Sequence, residues 1–541
     1  MELQELRERN EQYRDFRKPY ESVWDTIIEQ LYTDRWGWWE NRDRRGQRHS
    51  ENVFDSYPLQ ALHLMSDGIQ GHMVSDSFRW FDLNIPDRLV MNTHEAKRWL
   101  QETTDQMYYE FQRSNFYEVV NEFLQDGGSI GTATIYAQDS MDGQRVVFRV
   151  MHPKEVAIAE NADGQVDTHF REFYMSAKQA YERFGSYHEN IEWAIRNDPT
   201  MEVHILHAVY PRAVFKPKSS SQKDMPYASE YVDLTNDVKI RTSGYRKNPF
   251  ATWRWRKFSH ETYGRSPAWE VLKDIEMLNE IGRTMILAAQ RHVDPPLFVP
   301  GEMKNTFNRV PGSLNYYMDP NRIPFALQER SNYPIGQERE EQKRQAIREA
   351  FKVDFFLMLQ QAEREMTATE VVERQNEKVA VLGSIIGRFQ SEALNPIIDL
   401  VYDLAMEAGR MPEPPAVVTE FYGGKNIDVD YNGPLAQSMR RLRVQGDQAA
   451  LNVILPISQI DPTILDRFNL DAVAKNIAES YGMRQDAIRP DKEVEKIRSD
   501  RAQQMQQQQQ MDKAEAVGRT VRDTGSAIPE SKMTELLGGG Q

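Results

Sequence analysis

Metal chemistry has one candidate string in this sequence. Asp428-x-Asp430-x-Asn432-Gly433 places oxygen ligands at alternate positions, as the first half of an EF-hand loop does. The last position of such a loop should be a bidentate Glu, and here it is Met439. A polar turn after a strand accounts for the string better, with a looser cation site as the alternative. His204 and His207 have H-x-x-H spacing, but in a strand residues three apart fall on opposite faces and do not converge on a metal. None of the eleven histidines belongs to an H-E-x-x-H motif.

Phosphate chemistry fares no better. Gly423-Gly424-Lys425 is followed by Asn426 and lacks the upstream glycine spacing of a phosphate loop, which weighs against an ATPase. Gly127, Gly128 and Gly131 precede a β-prone run and suit a tight turn better than a phosphate cradle. Trp36, Trp38 and Trp39 stand beside Arg42, Arg44, Arg45 and Arg48, a mixture that can stack on bases and bind phosphates. The simpler account is that the tryptophans anchor a loop and the arginines pair with neighbouring acids. With 82 Asp and Glu, no carboxylate pair for acid–base work can be singled out. No residue set points to catalysis or to a bound cofactor.

The elements that must position these residues are spread over 541 positions, too many for one core, so two or more packing units are expected. The composition, 40% apolar and 28% charged, is that of a soluble chain with ample core material. There are no cysteines, which excludes disulfides and thiolate metal sites and fits a reducing compartment. The sequence opens without a basic and apolar leader, and no apolar run approaches the roughly 20 residues that span a bilayer. The expectation is a chain neither secreted by the usual signal nor integral to a membrane. A net charge of −15 argues against tight, all-over nucleic-acid binding. It does not argue against a conduit, whose walls should release what passes through.

Hydrophobic spacing then divides the chain. Tyr13, Phe16, Tyr20, Trp24, Ile27 and Leu31 mark a first helical face, with a break or kink expected near Lys18 because of Pro19. Residues 54–125 continue helical. The β-prone segments 146–151, 166–175, 202–210 and 250–258 read as strands, the last with Trp253 and Trp255 on one face and Arg254 and Arg256 on the other. Ser266-Pro267 is a helix start, and Leu272, Ile275, Leu278, Ile281 and Met285 form a stripe that ends at Asp294-Pro295-Pro296. A Pro- and Gly-marked module fills 297–335. A second helix spans about Gln337–Gln361. A third begins at the capping box Thr367-Ala368-Thr369-Glu370 and runs to about Ala408, with a kink expected near Asn395 because of Pro396. Beyond it come a Pro/Gly-rich connector at 412–433 with a strand at Ile427–Tyr431, a helical stretch to Tyr481, and a Gln-rich end that is either a polar helix or disorder.

Four stretches resemble the head-to-tail connector, or portal, family of short-tailed phages: 54–83 (FDSYPLQALHLMSDGIQGHMVSDSFRWFDL), 263–300 (YGRSPAWEVLKDIEMLNEIGRTMILAAQRHVDPPLFVP), 365–398 (EMTATEVVERQNEKVAVLGSIIGRFQSEALNPII) and 431–440 (YNGPLAQSMR). The second and third are specific, and all four occur in the family's order. The resemblance implies a mixed α/β, mostly helical fold with wing, stem, clip and crown, assembled as a dodecameric ring around a channel. On that map 1–265 is the wing, 266–293 and 337–361 are stem helices, and 294–336 is the clip. Residues 362–367 are a channel loop, 368–433 a kinked helix returning to the wing, 434–490 the crown, and 491–541 a polar tail.

Roles for individual residues follow as expectations of that resemblance. Glu270, Lys273, Asp274 and Glu276 are candidates to line the stem, unless they pair along a solvated helix face. Glu363, Arg364 and Glu365 alternate in sign, so contact between the loop and passing phosphate should be weak; alternatively Arg364 pairs with a glutamate of the next subunit. Phe298, Phe307, Tyr316 and Tyr317 are candidates for a docking surface on the clip, part of the set forming its own small core. Val372, Val379, Leu382, Ile386 and Phe389 recur at helical spacing, which suits an apolar contact between neighbouring subunits. Double-stranded DNA, a terminase large subunit, a tail adaptor, a major capsid protein and a scaffolding protein are the implied partners. A packaging nuclease or ATPase would need a motif that is missing, and a generic capsid protein would not need the helix–module–helix order.

Overall fold

In the computed structural model the described residues are 1–35, 53–86, 93–140, 142–216, 221–305, 333–361, 383–422 and 428–432, positions scattered through 307–326 and 454–489, and 491–523. The chain divides into two units, Met1–Met439 and Arg440–Gln541. The first opens with helix α1 (Leu3–Gln30), α2 (Tyr57–Met73), strand β1 (Phe81–Asn84), α3 (His94–Arg113) and α4 (Phe116–Ser129). Strands β2 (Thr132–Asp139), β3 (Val146–Met151), β4 (Val156–Glu160) and β5 (Val166–Ser176) follow, then α5 (Ala177–Phe184) and α6 (Glu189–Asn197). The sheet region closes with β6 (Glu202–Pro211), β7 (Tyr227–Asp233), β8 (Val238–Tyr245) and β9 (Phe250–Arg254). Beyond it lie α7 (Pro267–Glu270), α8 (Leu272–Val293), β10 (Leu297–Phe298), β11 (Phe325–Ala326), α9 (Tyr333–Ala350), α10 (Val353–Gln361), α11 (Asn395–Glu407), α12 (Ala416–Tyr422) and β12 (Asp428–Tyr431). In the second unit, α13 (Asp491–Asp523) shows that the expected polar tail is a helix over this range, with Arg498 bonded twice to Asp471 at 2.7 Å.

Of the segments read as strands, β5 and β6 join β4, β7 and β8 in an antiparallel five-stranded sheet, order β4-β5-β6-β7-β8, while β3 and β9 flank β2 in a separate sheet. Because side chains alternate, Phe170, Leu206, Ala208 and Tyr210 face one way and take the start of α1, with Leu6 buried among them and Tyr13 edge-on to Phe170 at 5.2 Å. The other face carries Val156, Ile158 and Val209 against Tyr136 and Phe250 of a three-stranded sheet, order β3-β2-β9. Further along that face, Phe173, Val203 and Ile205 take α5 and α6. The result is a mixed α/β unit in which helix, sheet and second sheet share continuous apolar contacts.

Several expectations change. Helix α1 runs unbroken through Pro19, because burial on both sides of it (Leu6, Asn10 and Arg17; then Trp24, Ile27 and Ile28) outweighs one lost backbone bond. Phe16, placed on its apolar face, is 71% exposed, so the buried stripe bypasses it. Gly127 and Gly128 make no turn: they lie in α4, where a Cβ would fall within 3 Å of Trp253 and of Met65 and Leu62. Only Gly131, at φ +94°, turns the chain. The expected helix 337–361 starts at Tyr333 and breaks between α9 and α10, where Lys352 adopts φ +56°. The kink expected near Asn395 is a π-helical turn, Gln390–Leu394, which joins a helix described from 383 to α11 and accommodates Pro396. The connector 412–433 holds helix α12 as well as a strand.

Candidate functional site

Ser266 starts the helix that carries the most distinctive geometry. Its hydroxyl accepts the Trp269 N–H at 2.9 Å, and Pro267 occupies the first turn, as its missing N–H permits. From there α8 extends about 33 Å at 1.5 Å per residue. Lys343 of α9 reaches Asp274 near the start of α8 at 2.7 Å, while Gly336 near the start of α9 lies against Met285 in the second half of α8. The two contacts run in opposite senses along the two helices, so α8 and α9 form an antiparallel hairpin. The described residues between them, within 294–326, sit at its far end.

The near end of the hairpin is clamped. Asn279, buried, accepts the backbone N–H groups of Phe54 and Asp55 at 3.1 Å through Oδ1, and its Nδ2 donates to Gln30 O at 3.3 Å and Gln30 Oε1 at 3.0 Å. One amide thereby satisfies the end of α1 and the approach to α2 at once. Asp55, also buried, accepts the Tyr57 N–H at 2.8 Å at the start of α2 and pairs with Arg344 of α9 at 2.9 Å. Gly282 leaves room for Phe54, and Gly68 of α2 leaves room for Phe356 of α10. Ile275, Leu278, Ile347 and Phe351 are buried here.

The far end is different. Ile286 and Leu287 are 46% and 44% exposed, and Val293 is exposed as well. At the tip β10 pairs with β11, and Phe298 stacks on Phe325 at 5.0 Å. A rigid base thus supports a projecting helix pair with uncovered apolar side chains and a small aromatic tip.

A sequence profile described as "Bacteriophage head to tail connecting protein" matches residues 3–488. The chain belongs to that connector family. It is 29% identical to a "Probable portal protein" of Bordetella phage BPP-1, over 92% of this chain and 91% of the relative. It is 26% identical to a "Portal protein" of Salmonella phage epsilon15, over 90% and 89%. Connectors are structural virion components at the junction of head and tail. No helix among the described residues is long and apolar enough to cross a membrane.

The structure places the expected connector residues unevenly. Of the stem candidates, Lys273 pairs with Glu276 at 2.7 Å, Glu270 pairs with Arg256, and Asp274 is engaged by Lys343, so these charges are met within the chain. Of the clip candidates, Phe298 is 51% and Tyr316 84% exposed, Phe307 is half-buried, and Tyr317 lies outside the described residues. Ile386 and Phe389, expected on a subunit contact, are buried in this chain's own core, with Phe389 against Trp253 at 4.9 Å; little of either is left to offer a neighbour. Leu382, Val372 and Val379 lie outside the described residues, as do Glu363, Arg364 and Glu365.

The metal-like string is not a loop. Asp428–Tyr431 is strand β12, paired with β1, which cannot wrap a cation as an EF-hand loop does. Asp430 accepts Asn84 Nδ2 at 3.0 Å, and Asn432 donates to Asp82. His204 and His207 lie on opposite faces of β6, the first against Glu172 and the second stacked on Tyr231. Among the described residues no group of three or more His, Asp or Glu gathers as metal ligands do. Asn279, Asp55, Arg344 and Gly68 were not read as structural anchors; the only sequence signal was the acid–Ser–Tyr–Pro start of α2.

Proposed function

We propose that this connector chain forms a dodecameric ring at one capsid vertex, through which double-stranded DNA passes in packaging and ejection. The observation that carries the reading is the projecting α8–α9 hairpin, whose apolar side chains beyond Asn279 are uncovered in the single chain. Such a face calls for a partner, and a copy related by rotation supplies one while closing the ring. On this reading the hairpin is the stem. The net charge of −15 suits a bore that must not hold phosphate. The tip, with Phe298, Tyr316 and Phe325 exposed, suits docking first of the terminase large subunit and then of the tail adaptor. The sheet-bearing body would face the major capsid and scaffolding proteins, and assembly would precede release, in the host cytoplasm. Residues 362–367 would be the channel loop, with Arg364 touching phosphate weakly between Glu363 and Glu365.

Negative-stain images of the purified chain test the ring. Twelve-fold particles with a central hole are expected, and Ile286→Asp with Leu287→Asp should give a folded chain that does not assemble. Compact monomers from the unaltered chain, or normal rings from the double variant, would sink the assignment of the stem face. Shortening 362–367 should leave rings intact and reduce retention of packaged DNA.

A further inference from the structure

Arg183 is a cation without a carboxylate. On α5, it donates from Nη2 to Gln138 Oε1 and to Tyr231 Oη, each at 3.1 Å, and among the described residues no acid pairs with it. The rings of Phe184 and Tyr231 lie against the guanidinium at 5.6 and 5.4 Å. Arginine carries five N–H donors in one plane, and here those on Nε and Nη1 have no acceptor among the described residues.

The neighbours are donors too. Gln138 Oε1 already accepts from both Arg183 and Tyr136, each at 3.1 Å, and its amide nitrogen donates to no described residue. Tyr136 and Tyr245 share a hydrogen bond of 3.2 Å, and Tyr245 is partly buried at the margin of this cluster. His207, stacked on Tyr231 at 4.0 Å, is buried and held neutral; burial lowers its pKa well below the ordinary value, and the positive fields of Arg183 and Arg171 lower it further. β2, β7 and α5 thus bring together a half-buried cation, an amide N–H2 and the Tyr231 hydroxyl, with no anion among them. A partly desolvated guanidinium without a counter-ion is costly. The geometry that relieves it is a forked oxyanion in its plane.

We propose that the edge of Arg183, with Gln138 and Tyr231 beside it, binds a small oxyanion, either a phosphate or a carboxylate. The site is in the sheet region and does not depend on the ring or the channel.

The test uses the full chain, with thermal unfolding followed in inorganic phosphate, in acetate and in chloride at matched ionic strength and pH. Phosphate or acetate should raise the midpoint by a few degrees over chloride, the stronger of the two identifying the source. Arg183→Gln should abolish the difference. Gln138→Glu supplies the anion within the chain, so it should raise the midpoint in chloride and remove the response to added anion. That variant also keeps the test decisive if Arg183→Gln does not fold. The proposal is overturned if the three salts act alike on the unaltered chain, if Arg183→Gln keeps the response, or if Gln138→Glu lowers the midpoint.

Discussion

Glu392 grips Arg254 with both carboxylate oxygens, Oε1 2.7 Å from Nη2 and Oε2 3.2 Å from Nε. Arg254 is 1% exposed and also meets Glu160 and the Gly164 and Thr262 carbonyls, so its charge is fully committed inside the protein. Glu392 sits in the π-helical turn, and the widened turn brings its carboxylate to β9. Glu392→Ala should destabilise the chain toward the lower end of about 3–5 kcal/mol, since Glu160 still partners the arginine. Glu392→Ala with Arg254→Met should recover much of that loss. Denaturant unfolding of the two variants and of Arg254→Met alone gives the coupling directly; a coupling near zero contradicts the anchor.

Asn279→Leu preserves size and removes every hydrogen bond that the Asn279 side chain makes at the clamp. Two backbone N–H groups, of Phe54 and Asp55, lose their acceptor, and each such loss costs about 1–3 kcal/mol. Amide exchange at Phe54 and Asp55 should rise sharply, while exchange in β5 and β6 should stay close to the original. Unchanged exchange at the two amides would show that the clamp is not needed.

Gly68→Ala would put a Cβ 2.3 Å from Phe356 Cδ1, so one helix must move. The expected cost is about 1–3 kcal/mol, typical of overpacking. Phe356→Leu in the same chain should relieve part of it, which thermal unfolding can resolve. If the second change adds to the loss, α2 and α10 are not in the register described.

Buried histidines make the fold sensitive to acid. His152 and His169 are held down to about 3, in each case first by burial, and His207 is lowered as well. Between the ordinary value of 6.5 and about 3 the unfolded chain binds protons that the folded chain refuses, so stability is full above pH 6.5 and falls as pH drops toward 3. Glu172, pushed down to about 2 with burial opposed by bonds from His204 and Asn10 and by Arg14, adds to the loss at the lower end. His169→Gln should flatten the slope between pH 6 and 4. An unaltered slope would mean that His169 titrates normally in the fold.

Strands were legible where β-branched and aromatic residues ran together between turn signals: β3, β5 and β6 lie within a residue of the runs read from sequence, because a sheet surface selects those residue types. Ser266 was legible because a hydroxyl before proline has few other uses. Asn279 was not, since a polar residue in an amphipathic helix looks like surface until the chain from residue 54 is laid against it. Gly127 and Gly128 look like turn residues in the string; only Trp253 and Met65, distant in sequence, explain them as clearance inside a helix. Lys352 carries no sign in its type that it must adopt a left-handed backbone. The helix–module–helix order around α8 and α9 was visible as spacing, whereas the clamp at its base depends on contacts between residues more than 200 positions apart.

Strand β1 pairs Phe81 with Tyr431, and Trp80 O accepts the Asn432 N–H at 2.8 Å. On the ribosome, β1 is made long before its only paired strand among the described residues. At about 5–20 residues per second the 350 positions from Phe81 to Tyr431 take roughly 20 to 70 seconds to synthesise. Throughout that interval the nascent chain carries an open strand edge beside Trp80, a template for pairing with other nascent chains. The body of a subunit is therefore finished late in translation, when β12 emerges, and a chain truncated before residue 428 is left with that edge unclosed.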